Sequence, residues 1–425
     1  MSPHTIRWGI ISTGGIATKF SQDILVDPST REVTDVAHRI TAIGSRSVAS
    51  AQAFIDKLKA GKAPYDWAVG KGLLDDTKAY GSYEEVYNDP NVDAIYIGTP
   101  HTRASRGKHV LCEKPFTLDL DELDELIAIA KEKKLFLMEA VWTRFHPIAY
   151  AVQDIIHSGK LGKVKRFSSE FSMDFDPDNR PYSHRMIDPA LGGGSLLDMG
   201  PYPSVWAMLV LHQHPLNKDR KPPKLHFSHQ TLYPRSNVDL NSRWLLEWEG
   251  VSQAMLMTDM NTHGPRESTV YISCEEGDLA LECECGATPS RGFKDVPLKL
   301  GIPAPSPSGR CSSRYLASRV TDTGVNVETH LTRTGGPFKP QRFWLIPHPP
   351  GSEKSIKEKT EHHYPVSAGG GMAYEADEVA RCVRDGKLES ERMPWEESRI
   401  VQSWFDQVRR AGGGVLADAK GNAVK

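Results

Sequence analysis

Hydrophobic positions along the first 140 residues fall into short runs separated by helical spacings. "RWGIIS" at 7–12 is a short apolar strand, and "TGGIATKFSQDIL" after it opens on glycines and continues with helical periodicity. "HRITAIGSRS" predicts a second strand and "VASAQAFIDKL" a helix. "VDAIYIGTP" at 92–100 and "KHVLCEKP" at 108–115 are continuous apolar runs of the fully buried kind. "LDELDELIAIAKEKK" is a clear amphipathic helix, followed by the strand "LFLMEAV". Strands alternating with helices predict a parallel sheet covered on both faces. The pattern then changes. "KVKRFSSEFSMDF", "RWLLEWEG", "SQAMLMTDM" and "STVYISCEEGDLALE" read as strands, several with the two-residue alternation of a half-exposed sheet.

This α/β pattern places candidate chemistry at the first strand-to-helix turn, where a dinucleotide pyrophosphate binds in such folds. Glycines let the backbone approach phosphate, and the helix N-terminus offers free N–H groups. The G-x-G-x-x-A frame falls on Ser12, Gly14 and Ala17, so its first glycine is a serine. Ser12, Thr13, Gly14, Gly15 and Ile16 are the candidate phosphate loop. At the end of the second strand, an NAD site usually offers a carboxylate to the ribose 2′-hydroxyl. This chain offers Ser45 and Arg46. A guanidinium can clamp a 2′-phosphate and stack on adenine, which favours NADP over NAD.

Composition narrows the class without naming it. The 425 residues carry a formal net charge of −2, which gives no electrostatic reason to expect nucleic acid or an acidic membrane as partner. The apolar runs stay well short of the about 20 residues of a membrane span, and no signal-peptide pattern opens the chain. The scattered cysteines read as free thiols of a reducing, cytoplasmic setting. Cys283 and Cys285 form a lone C-x-C with no second pair, so no metal site is expected.

Four ordered motifs carry a resemblance: "RWGIISTGGIA", "CEKP" at 112–115, "EAVWTRFHP" at 139–147 and "LGGGSLLDMGPYP" at 191–203. Together they resemble the Gfo/Idh/MocA dehydrogenases, in particular the branch of NADP-dependent D-xylose 1-dehydrogenases and dimeric dihydrodiol dehydrogenases. The resemblance covers roughly residues 5–274 and 337–412. It implies an NADP-binding Rossmann domain over 1–140. A second α/β domain over 141–425 would be built on a large open, mostly antiparallel sheet that pairs two subunits as a homodimer. It also implies site roles. Lys114 would lie beside the nicotinamide, next to a cis Lys114–Pro115 bond, with Glu113 near the nicotinamide ribose. Thr99, Pro100 and His101 would line the cofactor after the fourth strand. Trp142 and Arg144 would approach nicotinamide and substrate. Asp198 would be a substrate-site and catalytic residue that bonds a sugar hydroxyl or orients Lys114, and Tyr202 would be the catalytic acid–base and contact substrate. Most of the wider family carries histidine where this chain has Tyr202, which points to the xylose/dihydrodiol branch.

Taken singly, Lys114 reads as a surface lysine, Asp198 as a helix N-cap, and Trp142 and Tyr202 as core aromatics. Their joint order carries the reading of an NADP-dependent aldose dehydrogenase. The alternatives are a trans-1,2-dihydrodiol dehydrogenase and a non-catalytic NADP-binding regulator of the same fold. A tyrosine near its ordinary pKa of about 10 is a poor base at neutral pH, and the Lys114 ammonium is the expected source of a lower value. Pro203 follows Tyr202 and Pro201 precedes it, which places Tyr202 at or near a helix start. The glycines before it are expected to let the chain pass tightly beside cofactor or substrate.

The chain departs from its relatives twice. Only seven residues, His101 to Gly107, connect the fourth and fifth strands, where a parallel crossover normally takes about a dozen or more with a helix. Ala104 stands where relatives of this branch carry a second histidine. Residues 283–336, rich in Ser, Pro and Gly, read as an atypical disordered insert. Both departures read as errors of gene structure, one skipped coding piece and one translated intron. Transcript sequencing across the junctions tests that reading.

Overall fold

The described residues form a parallel six-stranded sheet and a mostly antiparallel eight-stranded sheet. The computed structural model describes residues 2–61, 72–99, 107–264, 269–282, 339–348, 359–366, 369–413, 416–417 and 423–424. The shortened crossover (101–106 of it), the 283–336 insert, Pro100, His101 and Ala104 lie outside these residues, as do Cys283, Cys285 and Cys311.

The first sheet comprises β1 (His4–Ile11), β2 (Val36–Gly44), β3 (Lys78–Tyr80), β4 (Ala94–Ile97), β5 (His109–Glu113) and β6 (Leu137–Ala140). Their order is β3-β2-β1-β4-β5-β6, every pair parallel, as the continuous apolar runs predict. Ile6, Trp8 and Ile10 of β1 are fully buried. The connecting helices include α1 (Gly15–Ile24), α2 (Val48–Ala60), α3 (Tyr83–Asn88) and α4 (Leu120–Lys133). Local chemistry fixes most of their starts. Ser47, Ser82 and Asp119 cap α2, α3 and α4 through side-chain oxygens that accept from backbone N–H groups, whereas α1 has no side-chain cap.

The chain leaves β6 through a single turn at Trp142–Phe145 and α5 (Pro147–His157). The second sheet holds β7 (Val164–Ser172), β8 (Lys224–Leu232), β9 (Asp239–Trp248), β10 (Ser252–Asp259), β11 (Val270–Cys274), β12 (Gly277–Glu282), β13 (Arg342–Pro347) and β14 (Thr360–His363). Its order is β14-β13-β12-β11-β7-β10-β9-β8. All neighbours are antiparallel except β7 and β10. Burial alternates along β9 and β10, so one face is covered and the other open. Between β7 and β8, α6 (Ser195–Met199) and α7 (Pro201–Ala207) cover the inner face, packing on β7, β9 and β10.

After β14 the chain returns to the first sheet. α8 (Ala373–Arg384) packs against α1, β1, β2 and the Trp142 turn, and α9 (Trp395–Gly412) packs against α4 and β8. The α8 contact is pinned by a buried network. Arg31 donates to both oxygens of Asp377 at 2.7 and 2.6 Å. His38 Nε2 donates to Asp377 at 2.8 Å, while Nδ1 accepts from the Trp8 indole at 3.1 Å. Burial comes first among the influences on His38 and lowers its pKa, so the ring is the neutral tautomer that this pair of bonds requires. C-terminal residues thus complete the core of the N-terminal sheet.

Candidate active site

The phosphate loop begins with strain. Ser12, at the end of β1, has φ +98°, a region that side chains other than glycine avoid. That backbone is why the usual first residue of the frame is glycine. Ser12 offsets part of the strain by accepting from the Gly14 N–H at 3.2 Å. Gly14 then stands at the uncapped start of α1, and a Cβ on Gly15 would meet nothing within 4 Å. Gly14, Gly15 and Ile16 are exposed, while Ala17 is buried where helix and strand pack closest. Across the loop, Thr13 Oγ1 lies 3.4 Å from Ser45 Oγ, and Arg46 follows, exposed, at the end of β2. The hydroxyl of Thr99, past β4, is buried and has no hydrogen-bond partner among the described residues. An uncapped helix start, open space at Gly15 and a buried hydroxyl without a partner among the described residues fit a dinucleotide phosphate and ribose.

Lys114 emerges from β5, and its bond to Pro115 is cis as expected. Its Nζ donates to the Asp198 backbone oxygen at 2.6 Å and to Asp198 Oδ1 at 3.2 Å. It also lies 5.0 Å from the centroid of the Tyr202 ring. The sequence-predicted trio is therefore one cluster. Asp198 is not an N-cap, since it lies inside α6, and Tyr202 is the second residue of α7. Gly200 and Tyr202 both adopt helical backbone before proline. The pre-proline preference against helix is overridden here by packing, because all of α7 is buried.

The electrostatics follow from burial and charge. Burial pushes the Asp198 carboxyl up, but Lys114 and then Arg185 outweigh it and hold its pKa at about 2. Desolvation opposes the charge on Lys114, yet Asp198 leaves its pKa raised. For Tyr202, the expected lowering is not the net result. Burial acts first and raises the phenol, and the pull of Lys114 and a hydrogen bond from Trp142 only oppose it. Desolvation likewise lifts Glu113 to about 7, although Tyr96 donates to its Oε1 at 2.7 Å.

Gly194 of "LGGGSLLDMGPYP" lies against a neighbouring strand. Gly194 has φ +109°, and a Cβ there would lie 2.2 Å from Asp239 Oδ1. The close approach is to β9, not to a ligand cleft. It seats the Asp239 carboxylate on the start of α6, where Oδ2 accepts from Leu196 N at 2.9 Å and from the hydroxyls of Ser195 at 2.6 Å and Ser242 at 2.7 Å. Asp239, rather than Asp198, thus caps the start of α6. Arg144 also differs from expectation. Its guanidinium is buried against Glu397 of α9 and donates to Met393 Sδ at 2.9 Å, which commits it to holding the C-terminal segment. Trp142 stands between, edge-on to His146 with 5.3 Å between ring centroids and bonded to Tyr202. Sequence reasoning missed Arg185. It grips Asp198 through Nη1 to Oδ1 and through Nη2 to Oδ2 at 3.3 Å. Its signal was only an arginine in the loop before the glycines.

Comparison with known proteins agrees with this architecture. Residues 6–141 match "Oxidoreductase family, NAD-binding Rossmann fold", and residues 150–280 match the GFO/IDH/MocA C-terminal domain. The chain is 32% identical over 426 residues to a D-xylose 1-dehydrogenase (NADP(+)) of Hypocrea jecorina, covering 97% of this chain and 93% of that one. It is 28% identical to the human trans-1,2-dihydrobenzene-1,2-diol dehydrogenase, over 96% and 97% of the two chains. Among solved structures, a levoglucosan dehydrogenase in complex with NADH and levoglucosan superposes with TM-score 0.68 at 13% identity, covering 99% of each chain. A 3-ketoreductase from Actinomadura kijaniata, solved with NADP, superposes with TM-score 0.64 at 18% identity, covering 96% and 98%. The chain belongs to the GFO/IDH/MocA oxidoreductase family.

Proposed function

We propose that this protein is an NADP-dependent dehydrogenase acting on a CH–OH group, with an aldose such as D-xylose oxidised at C1 to its lactone. The observation that carries the reading is the Lys114 ammonium poised over the Tyr202 ring at the end of β5. The family, and the similarity along nearly the whole chain to a D-xylose 1-dehydrogenase, support it. Ser12 to Ile16 would hold the pyrophosphate, Ser45 and Arg46 the 2′-phosphate, and Thr99 and Glu113 the nicotinamide ribose. The bound nicotinamide would supply the hydride acceptor.

In this reading Tyr202 takes the proton of the C1 hydroxyl as the C–H bond breaks. The Lys114 ammonium stabilises the oxyanion that develops on that oxygen. Asp198 keeps Lys114 in place through two acceptors, and Trp142 orients the phenol. Because burial keeps the phenol raised, oxidation should accelerate as pH rises, about tenfold per unit below that pKa. In the reverse direction the protonated phenol is already the acid.

Profiling NADPH formation by absorbance tests the proposal, using D-xylose, other aldoses and a trans-dihydrodiol. NADP reduction with aldoses supports it. Reduction with the dihydrodiol alone would move the assignment to that activity, and a folded, NADPH-binding protein that reduces NADP with none of them would overturn the enzyme reading.

A further inference from the structure

Arg185 lies on the loop between β7 and α6, outside every motif that marks the site. Its Nη1 bonds the same Asp198 oxygen, Oδ1, that accepts from Lys114. One carboxylate oxygen is thus shared by two cations. The Arg185 side chain is 54% exposed, against 12% for Lys114 and 12% for Asp198, so it approaches the carboxylate from the solvent side. Lys114 is also held by the Asp198 carbonyl oxygen, and its position does not depend on the carboxylate alone.

Charge counting gives this geometry a consequence. Asp198 paired with Lys114 alone would be a neutral ion pair, and its field at a neighbouring phenol would largely cancel. With Arg185 the cluster holds two cations and one anion. We propose that Arg185 is a positioning residue that draws the Asp198 carboxylate's charge away from Lys114 and so sets the ionisation of Tyr202. The proposal rests on the reading of Lys114 and Tyr202 given above.

The other groups around the phenol leave this role open to Arg185. Glu113 at the end of β5 raises the phenol's pKa, as Asp198 does. β7 presents the Phe171 ring, 5.4 Å from that of Tyr202. The turn after β6 presents Trp142, and its charged member, Arg144, is neutralised by Glu397. Among the described residues, Arg185 therefore supplies the second positive charge beside Lys114.

Ultraviolet titration of the phenolate tests this without substrate. The difference between the wild-type protein and Tyr202→Phe isolates one phenol among the 13 tyrosines. Repeating that difference on an Arg185→Ala background should place the ionisation about one pH unit higher. Arg185→Lys should restore it. Arg185→Gln can keep a hydrogen bond to Asp198 without the charge, so it should shift the phenol as alanine does, and it serves if the alanine variant fails to fold. In turnover, the pH limb of kcat should move with the phenol, an approximately tenfold loss at pH 7 that alkaline pH recovers, with NADPH affinity unchanged. An unshifted phenol in a folded Arg185→Ala or Arg185→Gln variant overturns the proposal, as does an equal loss of kcat at every pH. Absence of wild-type turnover would instead overturn the function and leave the titration readable.

Discussion

Replacing Asp198 by asparagine removes the anion between two cations, and the size of the effect can be worked from its pKa. The carboxyl is held at about 2 against an ordinary 3.8. At about 1.4 kcal/mol per unit, the ionised form contributes about 2 kcal/mol of stability at neutral pH. The sign follows from the depressed value. The contribution is present above the ordinary carboxylate range and is lost as pH falls through about 2, with about half remaining at pH 3. Urea unfolding of the ligand-free protein, followed by tryptophan fluorescence, should show Asp198→Asn less stable by about 2 kcal/mol at pH 7. The gap should narrow towards pH 3 as the wild-type carboxylate takes up its proton. The same variant should ionise Tyr202 at lower pH, because the Asp198 charge raises the phenol's pKa. Equal stability at pH 7, or a gap that stays constant down to pH 3, would refute the electrostatic account of this residue.

Three other substitutions probe the scaffold and the cofactor. Gly194→Ala forces a side chain into a left-handed backbone and against the Asp239 carboxylate. It should cost about 3 kcal/mol or more, read as a lower melting temperature, and weaken activity by loosening α6. Asp377→Asn leaves the buried Arg31 guanidinium without its counter-charge and should destabilise by about 3–5 kcal/mol, read as an earlier urea midpoint. Arg46→Asp should weaken NADPH binding at least about tenfold in a fluorescence titration while improving NADH, if Arg46 meets a 2′-phosphate.

Local pattern reached some of this molecule and not the rest, for physical reasons. β1, β2, β4, β5 and α4 were legible because burial on both sheet faces, or on one helix face, leaves a periodic mark in the chain. Lys114, Asp198 and Tyr202 were legible as members of ordered motifs, and their convergence needed the fold. What escaped was long-range. Asp239 caps α6 from 44 residues away in the chain, and Asp377 closes the β1–β2 core from 346 residues beyond Arg31. No periodicity encodes either pairing. The motif around Arg144 points to the cofactor, yet its guanidinium is buried and ion-paired with Glu397 of α9. The phenol's raised pKa was missed because proximity of an ammonium can be read from a motif, whereas desolvation depends on everything packed around the group.

The central claim is that Tyr202, under Lys114, moves the proton in an NADP-dependent oxidation of a CH–OH group. The most direct measurement is NADPH formation from D-xylose by the wild-type protein and by Tyr202→Phe, each first shown by fluorescence titration to bind NADPH. Wild-type turnover should rise with pH. A loss of about 10²–10⁴-fold in kcat is expected for the phenylalanine variant, with NADPH affinity unchanged. A Tyr202→Phe protein that turns over at the wild-type rate would contradict this claim.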